Sequence, residues 1–176
     1  MSTWLPLLII LFALALAVGP VMWLKPSARD RRLATLRRRA AQAGVVVQMQ
    51  ALPAALGQGS AAVYSSRWQD TRRLQLGWAL ELQRVEHEMH FRGRWDWRNG
   101  RAAPPPAWEA LREMLERLPE DACAVVGSEG GLGIQWQESA GEAGFRALES
   151  ALVEFRPVIE EAIRLPGPAG NRENQA

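Results

Sequence analysis

The chain has 176 residues, of which 48% are hydrophobic and 23% charged, and its formal net charge is +2. This composition excludes a wholly disordered protein, and because only one apolar run is long enough to span a bilayer it also excludes a polytopic membrane protein. The lone cysteine, Cys123, excludes an intramolecular disulfide and a metal cage built from several cysteines.

Charge is distributed unevenly along the chain. Residues 25–39 carry seven basic residues and one acidic residue, whereas the chain from residue 102 onward carries six arginines and thirteen acidic residues. A basic segment near one end and an acidic far end indicate a molecule with a membrane-facing side and an outward side.

Residues 4–24 carry no charge and predict a transmembrane helix, with residues 1–3 as a short external N-terminus. A helix of this length rises about 31 Å, close to the thickness of a hydrocarbon core. Trp4 and Trp23 lie at its two ends, where indole rings favour the headgroup layer. A cleaved signal peptide is the alternative, but the first three residues lack the usual lysine or arginine, and the positive charge follows the apolar run.

The position of the basic residues predicts an orientation. Basic residues that follow a span remain in the cytoplasm, so the N-terminus lies outside and the rest of the chain inside. We therefore expect a bacterial inner-membrane protein with a cytoplasmic C-terminal domain, a reducing location that also suits a free thiol.

Residues 25–44 predict a basic juxtamembrane helix. Ser27 and Asp30 have the spacing of a reciprocal cap at its start, and Gly44 is a C-terminal stop. Its basic residues either contact anionic lipid headgroups or act only as a topology signal on a solvated face, and both roles can coexist. No nucleic-acid-binding motif accompanies the charge, which disfavours such a partner. The cluster consists of Lys25, Arg29, Arg31, Arg32, Arg37, Arg38 and Arg39.

One apolar run followed by a basic exit resembles a known family. The exit reads Trp23-Leu24-Lys25-Pro26-Ser27-Ala28-Arg29-Asp30-Arg31-Arg32. Over residues 4–39 this resembles the YajC-type auxiliary subunits of the bacterial preprotein translocase. The resemblance implies an accessory role in protein transport, with translocase subunits as partners.

The domain that follows, residues 45–165, begins with predicted strands. Val45 to Met49 is a β-branched run, and residues 62–68 predict a weaker strand. Residues 74–89 fit either a half-buried strand or one face of a helix, and their alternation favours the strand. A further strand over residues 91–98 would pair with it through a turn near residues 86–89.

Two helices and a second hairpin complete the domain. Residues 108–118 predict an amphipathic helix, residues 122–127 and 132–136 a strand pair, and residues 142–165 a last helix that Pro157 should bend. The fold class is therefore α+β, an antiparallel sheet with helices on one face in ββα-ββα order. The repeated order is either an internal duplication or two helices of the same period. Residues 166–176 predict a disordered tail.

Few residues in the sequence have the spacing typical of a catalytic, metal or phosphate-binding site. His87 and His90 are the only histidine pair and lack the spacing of a helical zinc motif and a third ligand. Ser128 follows a strand, but Val126 stands where a nucleophile elbow needs glycine. The glycine-rich stretch 127–133 is not followed by the lysine of a phosphate-binding loop. We therefore expect no catalytic, cofactor or metal site, and a protein that is not an enzyme.

Tryptophan is abundant, with eight residues, and any that is exposed would mark a partner surface. The candidates are Trp68, Trp95 and Trp97.

The leading hypothesis is a single-pass inner-membrane protein whose cytoplasmic α+β domain is a non-enzymatic protein-binding accessory module. Two alternatives remain, a YajC-like translocase subunit and a module that binds anionic lipid surfaces.

Overall fold

The computed structural model describes residues 4–23, 27–86 and 88–166. The expected external N-terminus and nearly all of the expected tail lie outside these ranges. By internal contacts the chain divides into two units, Met1–Thr35 and Leu36–Ala176.

The first unit contains helix α1 (Trp4–Trp23) and the start of helix α2 (Ala28–Gln42). The predicted cap of α2 is confirmed, because the Asp30 amide donates to Ser27 Oγ at 3.1 Å and the Ser27 amide donates to Asp30 Oδ2 at 3.0 Å. Within the described residues, we find no helix whose length and hydropathy suffice for crossing a membrane.

The second unit is an α+β domain, as predicted, built on a six-stranded antiparallel sheet. In spatial order the strands are β1-β2-β6-β5-β3-β4, so β1 and β4 form the edges. The hairpin β5–β6 therefore inserts between the hairpins that precede it in sequence. The strands are β1 (Val46–Ala51), β2 (Ser60–Ser66), β3 (Trp78–Leu82), β4 (Trp95–Trp97), β5 (Ala122–Ser128) and β6 (Gly131–Trp136).

Helices α3 (Trp108–Arg117) and α4 (Gly141–Ala162) cover one face of the sheet. Tyr64 of β2 packs on Phe145 of α4, and Trp97 of β4 packs on Trp108 of α3. The register aligns these strand residues across the sheet, which places them on the same face. The apolar stripe predicted for the last helix is confirmed as buried, with Ile163 lying just beyond the end of α4: Phe145, Leu148, Leu152, Phe155, Ile159 and Ile163.

The region 74–89 is the main correction in the domain. Among the described residues of this region only Trp78–Leu82 forms a strand, and Leu82 pairs with Trp95, so the connection between β3 and β4 is residues 83–94 rather than a short turn. The returning strand is correspondingly short. Gly93 has φ +52°, and Arg92 and Trp95 exchange backbone hydrogen bonds across it, so a separate tight turn occupies residues predicted as strand.

Glu160 near the end of α4 holds the loop that follows β2. Its carboxylate accepts hydrogen bonds from the backbone amides of Gln69 and Asp70, both within 3.1 Å, and from Arg156 and Arg164. Its side chain is only 6% exposed. The buried charge is thus fully partnered, which is the condition for tolerating it.

Candidate functional site

A groove of about 670 Å³ lies between the last turns of α2 and the edge strand β1. Both walls belong to the second unit of the chain. Apolar surface along the groove is combined with two guanidinium groups. The lining residues are Arg37, Ala41, Gly44, Val45, Val46, Val47, Met49 and Arg67.

The local sequence fixes the angle between the two walls. Gly44 has φ +75°, a conformation that favours glycine, and its amide donates to Ala41 O at 3.1 Å. The Val45 amide reaches back to Ala40 O at 2.9 Å, so the carbonyls at the end of α2 are satisfied. Val45 and Ala40 are buried, and β1 begins immediately afterwards.

A half-buried ion pair holds the helical wall in place. Arg37 makes two hydrogen bonds to Glu138, at 2.9 Å from Nε and 2.6 Å from Nη2, and Tyr64 donates its hydroxyl to the same carboxylate at 2.6 Å. The bond to Glu138 raises the pKa of Arg37, and burial raises the pKa of the Tyr64 hydroxyl. A second pair joins Arg39 to Glu142.

The turn carrying Glu138 is itself fixed by hydrogen bonds. Asp121 accepts from the Ser139 amide at 2.7 Å and from Trp136 Nε1 at 2.6 Å. Burial alone would raise the pKa of Asp121, but the bonds from Ser139 and Trp136 outweigh it and the pKa is lowered. Glu138 adopts φ +62°, so the position of its carboxylate depends on this support.

The strand wall presents unused backbone at the sheet edge. The Leu52 amide donates to Gly59 O at 3.1 Å, just beyond the last pair of the β1–β2 register. Because antiparallel pairs alternate, residues 50, 48 and 46 bond towards β2, and Val47 and Met49 direct their N–H and C=O groups outward. Their side chains share the face of Tyr64 and Ala62, and both side chains line the groove.

Met49 and the two arginines give the groove its chemistry. Met49 is 52% exposed, and Arg37 Nη2 lies 3.6 Å from its sulfur. The Arg37 guanidinium is engaged by Glu138, whereas Arg67 is exposed and directly follows β2. Since Val46 pairs with Ser65, Arg67 lies beside the start of β1.

The predicted basic cluster is divided by the fold. Arg37 and Arg39 pair with acidic residues of the domain. Lys25 lies outside the described residues. The remaining members are exposed, and no ion pair involves them in the part of the chain that is described: Arg29, Arg31, Arg32 and Arg38.

The three tryptophan candidates occupy different environments. Trp68 is 7% exposed and donates Nε1 to Ser128 O at 2.7 Å, so its ring is not available as a partner surface. Trp97 lies in an aromatic cluster with Trp78, Phe91 and Trp108. Trp95 lines a second groove at the opposite sheet edge, together with Leu82, Arg94 and Leu115.

The structure describes most of the residues considered for chemistry. Among the residues described, no cluster of three or more histidine, cysteine, aspartate or glutamate side chains is arranged to hold a metal ion. His87 lies outside the described residues, and Ser128 Oγ donates to Gly131 O at 3.4 Å. Cys123 is buried, and burial raises the pKa of its thiol to about 11.

Sequence reasoning missed the groove at β1. Part of the pattern was visible in the sequence, because the glycine that ends α2 is followed almost at once by the uncharged strand Val46–Ala51. An edge strand without charge lacks the usual protection against pairing with another chain. The position of that strand in the sheet and the arrival of Arg67 beside it depend on tertiary structure.

No family model, curated protein or solved structure matches this chain.

Proposed function

We propose that the domain is a non-enzymatic protein-binding module that takes an extended segment of a partner protein by strand addition to β1. The observation that carries this proposal is the groove beside the outward backbone groups of Val47 and Met49. In strand addition, main-chain hydrogen bonds supply the affinity and contacts to alternate side chains supply the specificity. The outward backbone groups of Val47 and Met49 can make those hydrogen bonds, and the lining of the groove can contact the side chains.

The lining defines the partner segment. Residues opposite Val47 and Met49 would place their side chains on the apolar face next to Ala41. Small or β-branched apolar residues at alternate positions suit this surface, and the flexible Met49 side chain can adapt to several shapes. The arginines favour a segment that carries negative charge.

We also propose that α1 holds the module at a membrane. In Trp4–Leu14 nine large apolar side chains are each between 53% and 67% exposed. An apolar surface of this extent is unfavourable in water, so lipid is its natural environment.

A pair of variants at one position tests strand addition. Met49→Pro removes an outward N–H without removing a bond to β2, whereas Met49→Thr loses the same side chain and keeps the N–H. Full-length protein in detergent is screened against random synthetic peptides long enough to cover β1, prepared with free and with amidated C-termini. We expect peptides that bind the wild type to bind Met49→Thr as well. Their affinity for Met49→Pro should be at least about tenfold lower than for Met49→Thr.

Hydrogen exchange provides an independent readout. A bound strand should slow exchange of the Val47 and Met49 amides, because these donors become paired. Equal peptide binding by the two Met49 variants, or unchanged exchange at these amides on peptide addition, would overturn strand addition. Failure of both peptide sets to bind wild type would do the same.

A further inference from the structure

The groove has a direction set by β1. The strand runs from Val46, beside Arg67, to Ala51 at the opposite end. All pairings in the sheet are antiparallel, and antiparallel pairing is also the slightly more stable arrangement. A peptide strand that pairs antiparallel with β1 therefore has its C-terminal end beside Val46, next to Arg67.

The two guanidinium groups of the groove are not equivalent. Arg37 donates through both Nε and Nη2 to Glu138, whose side chain is 5% exposed, and Nη2 also faces the Met49 sulfur, so this guanidinium is already held in an ion pair. Arg67 is exposed at the end where an antiparallel ligand terminates. A planar guanidinium with available donors is suited to a carboxylate, which can accept two parallel bonds.

We infer that the partner segment is a free C-terminus, whose terminal carboxylate binds Arg67 while the preceding residues pair with Val47 and Met49. This inference rests on the proposed strand addition. It narrows the partner from any extended segment to the last residues of a protein chain. The terminal carboxylate supplies the negative charge without an acidic side chain.

Amidation of the ligand is the direct test. Peptides selected by the wild-type protein are resynthesised with a free carboxylate and as C-terminal amides, and both are measured against wild type and Arg67→Gln. We expect the amide to bind wild type about tenfold to a hundredfold more weakly than the acid. Arg67→Gln should weaken the acid to the level of the amide and leave the amide unchanged.

Arg38→Gln is the matched control. Arg38 is an exposed residue of α2 that does not line the groove, so its loss should leave the difference between acid and amide intact. Wild-type binding that does not distinguish acid from amide, yet still falls in Met49→Pro, would overturn the carboxylate inference and leave strand addition standing. The carboxylate inference would also be overturned if the loss of peptide affinity in Arg67→Gln required an internal acidic side chain of the peptide and not its C-terminal carboxylate. Absence of binding by both peptide forms would overturn both proposals.

Discussion

Glu160 is a buried charge whose hydrogen bonds link the end of α4 to the loop after β2. We expect Glu160→Gln to lower the free energy of unfolding by about 3 kcal/mol, because the amide cannot satisfy the donors around it and leaves Arg156 without its anion. Denaturant unfolding near neutral pH measures this loss. Glu161→Gln is the control, since Glu161 is 83% exposed and its replacement should change stability by no more than about 0.5 kcal/mol.

The same carboxylate predicts a pH dependence. Burial would raise its pKa, but the amides of Gln69 and Asp70 and the Arg156 guanidinium hold the pKa below the ordinary 4.5. A group with a depressed folded pKa contributes stability above its unfolded pKa, and that contribution is lost as pH falls through the folded value. Unfolding free energy should therefore decline from pH 4.5 downward, with a shallower slope in Glu160→Gln. Identical slopes in the two proteins would contradict this assignment.

Gly127 of β5 packs directly against Trp78. A Cβ at this position would lie 2.3 Å from the indole, so Gly127→Ala should destabilise the domain by about 3 kcal/mol through overpacking. At Gly130 the nearest atom to an added Cβ is Ser128 Oγ at 3.6 Å, and Gly130→Ala should be near neutral. Thermal unfolding followed by tryptophan fluorescence distinguishes the two, and equal midpoints would refute the close contact.

At the scale of elements, the last turns of α2 are held by the Arg37–Glu138 pair. Arg37→Gln should cost about 2 kcal/mol, because Glu138 stays buried without its cation, and it should speed amide exchange in residues 36–42. Arg38→Gln changes the neighbouring exposed residue and should do neither. In Arg37→Gln/Glu138→Gln the loss should be smaller than the sum of the single losses, and strict additivity would exclude direct coupling.

At the scale of the whole molecule, salt distinguishes two kinds of membrane contact. One is apolar attachment through α1, and the other is attraction of basic residues to anionic lipid. If α1 provides the main attachment, full-length protein should float with neutral phosphatidylcholine vesicles in about 1 M salt, where surface charges are screened. Replacing Arg29, Arg31, Arg32 and Arg38 by glutamine should reduce only the additional binding to anionic vesicles at low salt.

Arg37→Gln/Arg39→Gln is the control for that measurement. These two residues pair with Glu138 and Glu142, so their loss should have little effect on vesicle binding beyond any loss of stability. Complete release of the full-length protein from neutral vesicles at high salt would count against attachment through α1.

The sequence by itself determined the elements with strong local signals. Hydrophobic periodicity and turn residues identified α3, α4, the β5–β6 hairpin and the cap of α2, because these signals lie within a few positions along the chain: two in a strand, three or four in a helix or its cap. It also indicated the apolar character of residues 4–24. It overextended the strand at residues 91–98, where Gly93 permits a tight turn that alternation does not reveal.

Only the tertiary structure decided the order of the strands, and with it the candidate site. Insertion of β5–β6 between β2 and β3 leaves β1 as an edge, and the β1–β2 register brings Arg67 beside Val46. The tertiary structure also pairs Arg37 and Arg39 with Glu138 and Glu142, about a hundred residues away. Contacts at such separation are set by packing and buried charge, which no local pattern records.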